Sequence, residues 1–245
     1  MEIRKRSFTE EAFQSSLYGM RQRQEQKEDL EQFLEMLHVE LDPVNRMFAD
    51  YECVALEVET KFKVLNTRLS IKGEANPIET IKTRIKSLDS ILRKMTKLGL
   101  PMTLEAVQEN IFDIAGVRVI CSFIDDIYTI EKYFLDQEDV KLVTRKDYIE
   151  NPKESGYRSL HLIIQTPIYT ENGKKDMYVE VQLRTIAMDF CASHEHKLRY
   201  KKNIKPALLK ELAEELELCA EESTKLDRRM LVVRKKIQEA SESED

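Results

Sequence analysis

Tyr178-Val179-Glu180-Val181-Gln182-Leu183-Arg184 alternates without interruption. Successive side chains of an extended chain point to opposite faces of a sheet. Val179, Val181 and Leu183 therefore share one face, and Glu180, Gln182 and Arg184 share the other. Alone, the pattern fits equally well a half-exposed strand whose polar face merely meets water. Working outward, Ile114 to Phe123, Lys141 to Thr144, Ser159 to Thr166 and Met177 to Arg184 are rich in β-branched and apolar residues and read as strands. Glu171-Asn172-Gly173 is a turn joining the last two as a hairpin. Helical stretches are expected at Thr103 to Asn110, Asp125 to Leu135 and Ile186 to Arg199. The mixture predicts an α+β core with a mostly antiparallel or mixed sheet.

Helices are expected on both flanks. Residues 1–75 read as a helical extension. Asp42-Pro43 offers an N-cap and a proline at the first helical position, for a helix reaching about Leu69 and a stop at Gly73. The core is placed at 76–200 and a further helical region at 201–245. In that last region Leu209, Leu212, Leu216, Cys219, Ser223, Leu226, Met230, Val233, Ile237 and Ala240 alternate steps of three and four, a heptad-like seam. A single helix of that length, about 50 Å at 1.5 Å per residue, would overhang the core. It either breaks near Ser223-Thr224, packs on another subunit, or lies back on the sheet.

Asn76-Pro77-Ile78-Glu79 resembles a helix start, with a cap, a proline at N1 and a glutamate at N3. It predicts one helix from Pro77 to Leu98 that stops at Gly99. On a helical wheel Lys82, Lys86, Ser90, Arg93, Lys94 and Lys97 gather on one side, and Ile81, Ile85, Leu88, Ile91, Leu92, Met95 and Leu98 on the other. Asp89 is the only acid between Lys82 and Lys97, and it falls outside the basic arc. An unneutralised lysine stripe suits polyphosphate. Arg84 falls inside the apolar stripe, where a guanidinium needs a partner. It either snorkels to the rim or stacks on something flat, such as a nucleotide base.

Other candidates surround the strands. Lys153-Glu154-Ser155-Gly156-Tyr157-Arg158 is a glycine loop that can bring an aromatic face to a base and cations to phosphates. In the strand after it, His161 takes the face opposite the leucines. Asp113-Ile114-Ala115-Gly116-Val117-Arg118 opens another strand with a carboxylate. Regular alternation puts Asp113 and Arg118 on opposite faces, unless Gly116 forms a bulge or Asp113 precedes the strand.

Composition narrows the classes. Of 245 residues, 42 % are hydrophobic, enough for a core, and 34 % are charged. The net charge of −6 argues against holding duplex nucleic acid by bulk attraction, but a local basic cluster suffices for phosphate ligands. No run reaches the roughly 20 apolar residues of a membrane span, and Met1 to Arg6 lead into no apolar signal segment. Cys53, Cys121, Cys191 and Cys219 form no CxxC pair, which fits reduced thiols in the cytoplasm.

Five ordered motifs add a resemblance: NPIE-x4-RIKS, DIAGVRVICSF, DYIENPKESGYRSLHL, EVQLRT and AMDFCASHEHK. Together, from about Asn76 to Tyr200, they resemble the (p)ppGpp synthetase domain of RelA/SpoT proteins, and in particular the small alarmone synthetases. The resemblance implies a nucleotidyltransferase-like mixed sheet packed with helices. It also implies transfer of the β,γ-pyrophosphoryl group of ATP to the 3′-hydroxyl of GDP or GTP, leaving AMP. By motif, Arg84 and Arg118 would sandwich adenine, and Lys86, Ser90 and Lys94 would hold the ATP phosphates. Asp113 and Glu180 would bind Mg²⁺, with Glu180 also taking the proton of the attacking hydroxyl. Tyr157 would stack on guanine, while Lys153, His161, Gln182 and Arg145 position the acceptor, with Arg184 and Glu195 as further members. Cys191 departs from the pattern, standing where many members carry tryptophan. Without the His-Asp hydrolase motif of the long members, the chain is expected to synthesise and not hydrolyse. The flanking helices are expected to form a homotetramer, typical of the small synthetases.

Overall fold

The computed structural model describes residues 41–71, 76–199 and 206–242. The expectations for residues 1–40, Gly73 and the extreme C-terminus lie outside it. Helix α1 (Leu41–Ser70) is followed by β1 (Ile78–Ile85), α2 (Leu88–Leu98), α3 (Leu104–Asn110), β2 (Ala115–Cys121) and α4 (Ile124–Leu135). Next come β3 (Lys141–Asp147), the hairpin of β4 (Leu160–Thr170) and β5 (Gly173–Thr185), α5 (Ile186–Arg199) and α6 (Pro206–Glu242). The five strands form one sheet in the order β1-β2-β5-β4-β3. Only β2 and β5 run parallel; the other three pairs are antiparallel. The expected mixed-sheet α+β fold and the 171–173 hairpin are therefore present.

One expectation fails. The single helix over Pro77 to Leu98 is two elements, strand β1 and helix α2, joined at Lys86-Ser87. Five of the eight residues of Ile78–Ile85 are Ile or Thr, whose β-branched side chains favour a pleated surface. Their pattern also has period two: Ile81, Thr83 and Ile85 fall on one side, and Lys82 and Arg84 on the other. Pairing with β2 along Ile81↔Val119 to Ile85↔Ala115 fixes that register. The true helix start is Ser87, whose hydroxyl accepts the backbone N–H of Ser90. The expected stop at Gly99 holds, with φ +66 in the left-handed region.

The core lies on one face of the sheet. Val117, Val119, Val179, Val181 and Leu183 are buried there beside Leu160, Leu162 and Ile164 of β4. Helices α1 and α4 cover this face, with the rings of Phe62 and Phe134 stacked at 4.3 Å. Helix α6 is continuous through Ser223-Thr224, so the break considered there is absent, and its 37 residues span about 55 Å. It lies on its own chain. Ala220 is buried, Arg158 donates to Thr224, Thr185 donates to Asp227, and Arg234 pairs with Asp126 at 2.7 Å. Leu226, Met230, Val233 and Ile237 of the seam remain exposed.

Candidate active site

Register alone assembles the opposite face. Arg84, Gly116 and Glu180 stand in one row across β1, β2 and β5, and Lys82, Arg118, Gln182, His161 and Lys146 in the next, now including β4 and β3. Arg118 thus shares a face with Glu180, without a bulge at Gly116. Asp113 lies in the turn before β2, where strand parity does not bind it. Gly116 makes room for Arg84. A Cβ at that position would come within 3.0 Å of Arg84 Nε, so the missing side chain lets Arg84 lie across the sheet toward Glu180.

Glu180 is the hub. One oxygen accepts from Arg84 Nη2 at 3.2 Å and from Gln182 Nε2 at 2.8 Å, and the other lies 3.3 Å from His161 Nδ1. Burial pushes the Glu180 carboxyl up. His161, by hydrogen bond and charge, and then the Arg84 charge outweigh that and hold it below the ordinary carboxylate range, against the opposing charge of Asp113. Asp113 is built alike. Lys86 Nζ contacts one oxygen at 2.6 Å and Lys94 Nζ the other at 2.8 Å. Burial raises this carboxyl as well, and the two lysines bring it below its usual value. Ser90 sits one turn before Lys94 at the start of α2, its hydroxyl 2.9 Å from that of Ser87.

The glycine loop reaches the same face. Gly156 adopts φ +73, and a Cβ on it would meet the Ala220 Cβ of α6 at 2.7 Å; both facts demand glycine. Tyr157, next in line, pairs its hydroxyl with His161 Nε2 at 2.8 Å and with Arg184. Lys153 Nζ lies 4.9 Å from the centre of its ring and the Arg184 guanidinium 5.2 Å.

A family model described as a region found in RelA / SpoT proteins matches residues 83–205. The chain belongs to the RelA/SpoT family. It is 44 % identical over 180 residues to GTP pyrophosphokinase YwaC of Bacillus subtilis, covering 74 % of this chain and 85 % of that one. Small alarmone synthetase 1 from Bacillus subtilis bound to its product pppGpp superposes with a TM-score of 0.72 at 34 % identity, over 80 % of this chain and 98 % of that one. The same synthetase bound to AMPCPP gives 0.67 at 32 % identity, over the same shares. The family region contains the whole cluster except Lys82.

Not every candidate in this RelA/SpoT domain joins the cluster. Arg145 is in register with buried Leu162 and is held by Glu131 at 2.6 Å and Asp147 at 3.1 Å. It thus meets α4 through Glu131. The cation that β3 places on the site face is Lys146, opposite His161. Glu195 lies on α5, its side chain outside those described. Sequence reasoning also misses Asp189, in the first turn of α5, which Lys82, Arg118 and Arg184 all contact. Charge balance is the available signal: one acid follows a strand face bearing several cations. Between the glycine loop, α5 and α6 lies a cavity of about 260 Å³, lined by Gly156, Tyr157, Met188, Cys191, Leu216 and Ala220 among others.

Proposed function

We infer that this chain is a GTP pyrophosphokinase that makes (p)ppGpp and AMP from ATP and GDP or GTP. The observation that carries this is the convergence of Glu180, Asp113, the cations Arg84, Lys86, Lys94, Arg118, Lys153 and Arg184, and an aromatic platform on one side of the sheet of a RelA/SpoT domain. Reaction joins the acceptor's 3′-oxygen to the β-phosphorus of ATP, breaks the bond from that phosphorus to the α–β bridging oxygen, and releases AMP. Little covalent chemistry is asked of the protein, so positioning and charge neutralisation dominate.

Several of the proposed roles are supported by a contact that a substrate would replace. Arg84 leaves Glu180 to face adenine with Arg118. Lys86 and Lys94 leave Asp113 for the ATP phosphates, beside Ser90 at the start of α2, where unpaired N–H groups favour anions. Tyr157 takes guanine as Lys153 swings to phosphate, with Arg184 held beside the ring and His161 and Gln182 placing the ribose. Arg145, tied to its carboxylates, contributes from the margin and Lys146 from the face; Glu195 is proposed at the acceptor end. Glu180 is ionised in the free protein and so able to accept the 3′-hydroxyl proton. Departure of Arg84 removes one of the influences that depress it, which raises its basicity as ATP binds.

Asp113 and Glu180 offer hard carboxylate oxygens of the kind Mg²⁺ takes, and Mg²⁺ keeps several further sites for phosphate oxygens and water. Asp113 and Glu180 would hold it, and when bound it would offset the charge of the transferring phosphates. Among the described residues no helix is long and apolar enough to cross a membrane; the cytoplasm is proposed as the location. The exposed apolar positions of α6 support assembly of copies, proposed as a homotetramer, which light scattering would measure. Synthesis without hydrolysis is likewise proposed.

The test mixes purified protein with ATP, GDP or GTP, and Mg²⁺, and resolves the nucleotides. AMP with guanosine tetra- or pentaphosphate is expected, and added ppGpp should persist. Pyrophosphate instead of AMP would indicate nucleotidyl transfer, and nucleotide binding without turnover a binding module.

A further inference from the structure

Asp189 has no motif-assigned role, yet it collects more cations than either proposed metal ligand. It sits in the first turn of α5, 9 % exposed. One carboxylate oxygen accepts from Arg118 Nη1 of β2 at 3.1 Å and lies 3.4 Å from Arg184 Nη1 of β5; the other meets Lys82 Nζ of β1 at 3.1 Å. Burial pushes this carboxyl up, and the three cations outweigh it.

The two arginines it joins work at different ends of the site. Arg118 lies on the donor side, one row from Arg84. Its Nε is buried and has no hydrogen-bond partner among the described residues, and the contact through Nη1 to Asp189 holds its guanidinium. Arg184 lies on the acceptor side. It donates to Ser159 Oγ at 3.2 Å, Gln182 Oε1 at 3.0 Å and the Tyr157 hydroxyl, and its guanidinium stands over the Tyr157 ring. Their like charges repel, which contributes, after burial, to lowering the pKa of Arg118. A single anion shared between them cancels that repulsion and sets their separation.

We propose that Asp189 is a positioning residue that fixes Arg118 and Arg184 together, and so aligns the donor-nucleotide and acceptor-nucleotide subsites with each other. This rests on the pyrophosphokinase reading above. It predicts that loss of the charge weakens productive binding of both nucleotides together.

The experiment compares wild type with Asp189→Asn, reading kcat and both KM values alongside thermal unfolding. Expected are rises of about tenfold in KM for ATP and for the guanine nucleotide, the scale of a lost charge-assisted hydrogen bond, with kcat changed less and an unfolding temperature near wild type. A fall in kcat with both KM values unchanged marks a merely structural residue and overturns the proposal, as does a rise in only one KM. Should the asparagine variant not fold, Asp189→Glu serves: it keeps the charge but moves the carboxylate by about one bond, so both KM values should still rise, and two unchanged values overturn the proposal. A wild-type enzyme that makes no product would instead overturn the functional reading, leaving binding of AMPCPP and GDP by calorimetry to decide the role of Asp189.

Discussion

Glu180 and Val181 are neighbours in sequence on opposite faces of one strand, and the two faces are built on different terms. Around Val181 the packing is complete: Val179, Leu183, Leu160 and Leu162 show no exposure, and α1 and α4 seal the layer. Such contacts are final, because each buried methylene adds stability in proportion to area removed from water. Around Glu180 the two carboxylates are matched by provisional partners, Arg84 and His161 on Glu180 and Lys86 and Lys94 on Asp113. Ion pairs at this depth roughly offset their own desolvation, so they add little stability. What they leave is a face whose charges can be exchanged for those of a ligand without rebuilding the fold.

Mutating both neighbours puts this contrast under the greatest strain. Glu180→Gln is expected to reduce turnover by about a thousandfold or more, since it removes the proposed proton acceptor and a proposed metal-ligating charge, with the unfolding temperature within a few degrees of wild type. Val181→Ala should do the reverse, lowering stability by about 2 kcal/mol through the cavity it leaves while the folded fraction stays active. Urea unfolding and nucleotide assays on the same preparations measure both. Near-normal activity in Glu180→Gln would remove it from the mechanism.

The exchange of partners makes a second, smaller prediction. With Asp113 held by two lysines and Glu180 by Arg84 and His161, Mn²⁺ alone should bind weakly to the free protein and at least tenfold more tightly with AMPCPP, because the nucleotide draws the cations away. Lys86→Met with Lys94→Met should bind Mn²⁺ better than wild type in the absence of nucleotide, read by paramagnetic relaxation. Equal metal affinity with and without nucleotide would mean the ion pairs do not compete.

Much of this is legible in the sequence, and the failures have a common cause. The alternation from Tyr178 to Arg184 identifies both faces of β5, because a half-buried strand writes its period directly into the chain. The stretch from Ile78 to Ile85 passes for a helix because Pro77 and Glu79 imitate a helix start. Its apolar residues also suit a helical stripe when joined to the real helix after Ser87. Arg84 within that stripe is the warning: on a strand it needs no special explanation. Asp113 and Arg118 cannot be placed relative to Glu180 from sequence, because their meeting depends on where β2 begins and on its parallel register with β5, a long-range pairing. Arg145 and Lys146 differ by one residue, and only the pairing of β3 with β4, with its irregularity between Leu142 and Thr144, decides which faces the site.

Acidification should separate the site face from the seat of α6. Asp113, Glu180 and Asp189 lie below the ordinary carboxylate range. The stability they contribute is present above the unfolded value, about 4, and is lost as pH falls through their lower folded values. Asp126 and Asp227, which meet α6, go the other way. Burial raises both by more than Arg234, or Thr185 and Arg158, restore. Their contribution is full below about pH 4 and declines as pH rises through the raised values. As pH falls toward about 4 through the raised values of Asp126 and Asp227, hydrogen exchange corrected for intrinsic rate should therefore slow in α6 and stay constant in β5. Below about pH 4, β5 should open first. Loosening of β5 already at pH 5 would place its carboxylates in a different charge state.

The smallest expected effect concerns Cys191, where the resemblance leads one to expect tryptophan, beside a cavity of about 260 Å³. The cavity backs the loop that carries Tyr157, and α6 closes its far side through Ala220. Cys191→Trp should fill it and stabilise the protein by about 1 kcal/mol, as cavity-filling changes commonly do. Because the cavity touches the acceptor loop and none of Arg84, Lys86, Lys94 or Asp113, KM for ATP should stay constant while KM for GDP or GTP shifts by about threefold or less. A loss of stability would show that the cavity is the wrong shape for an indole and that α6 has settled against the smaller side chain. An equal shift in both KM values would show that the loop and the donor side move as one, which is the behaviour expected if the bridge through Asp189 is stiff enough to carry strain from Arg184 to Arg118.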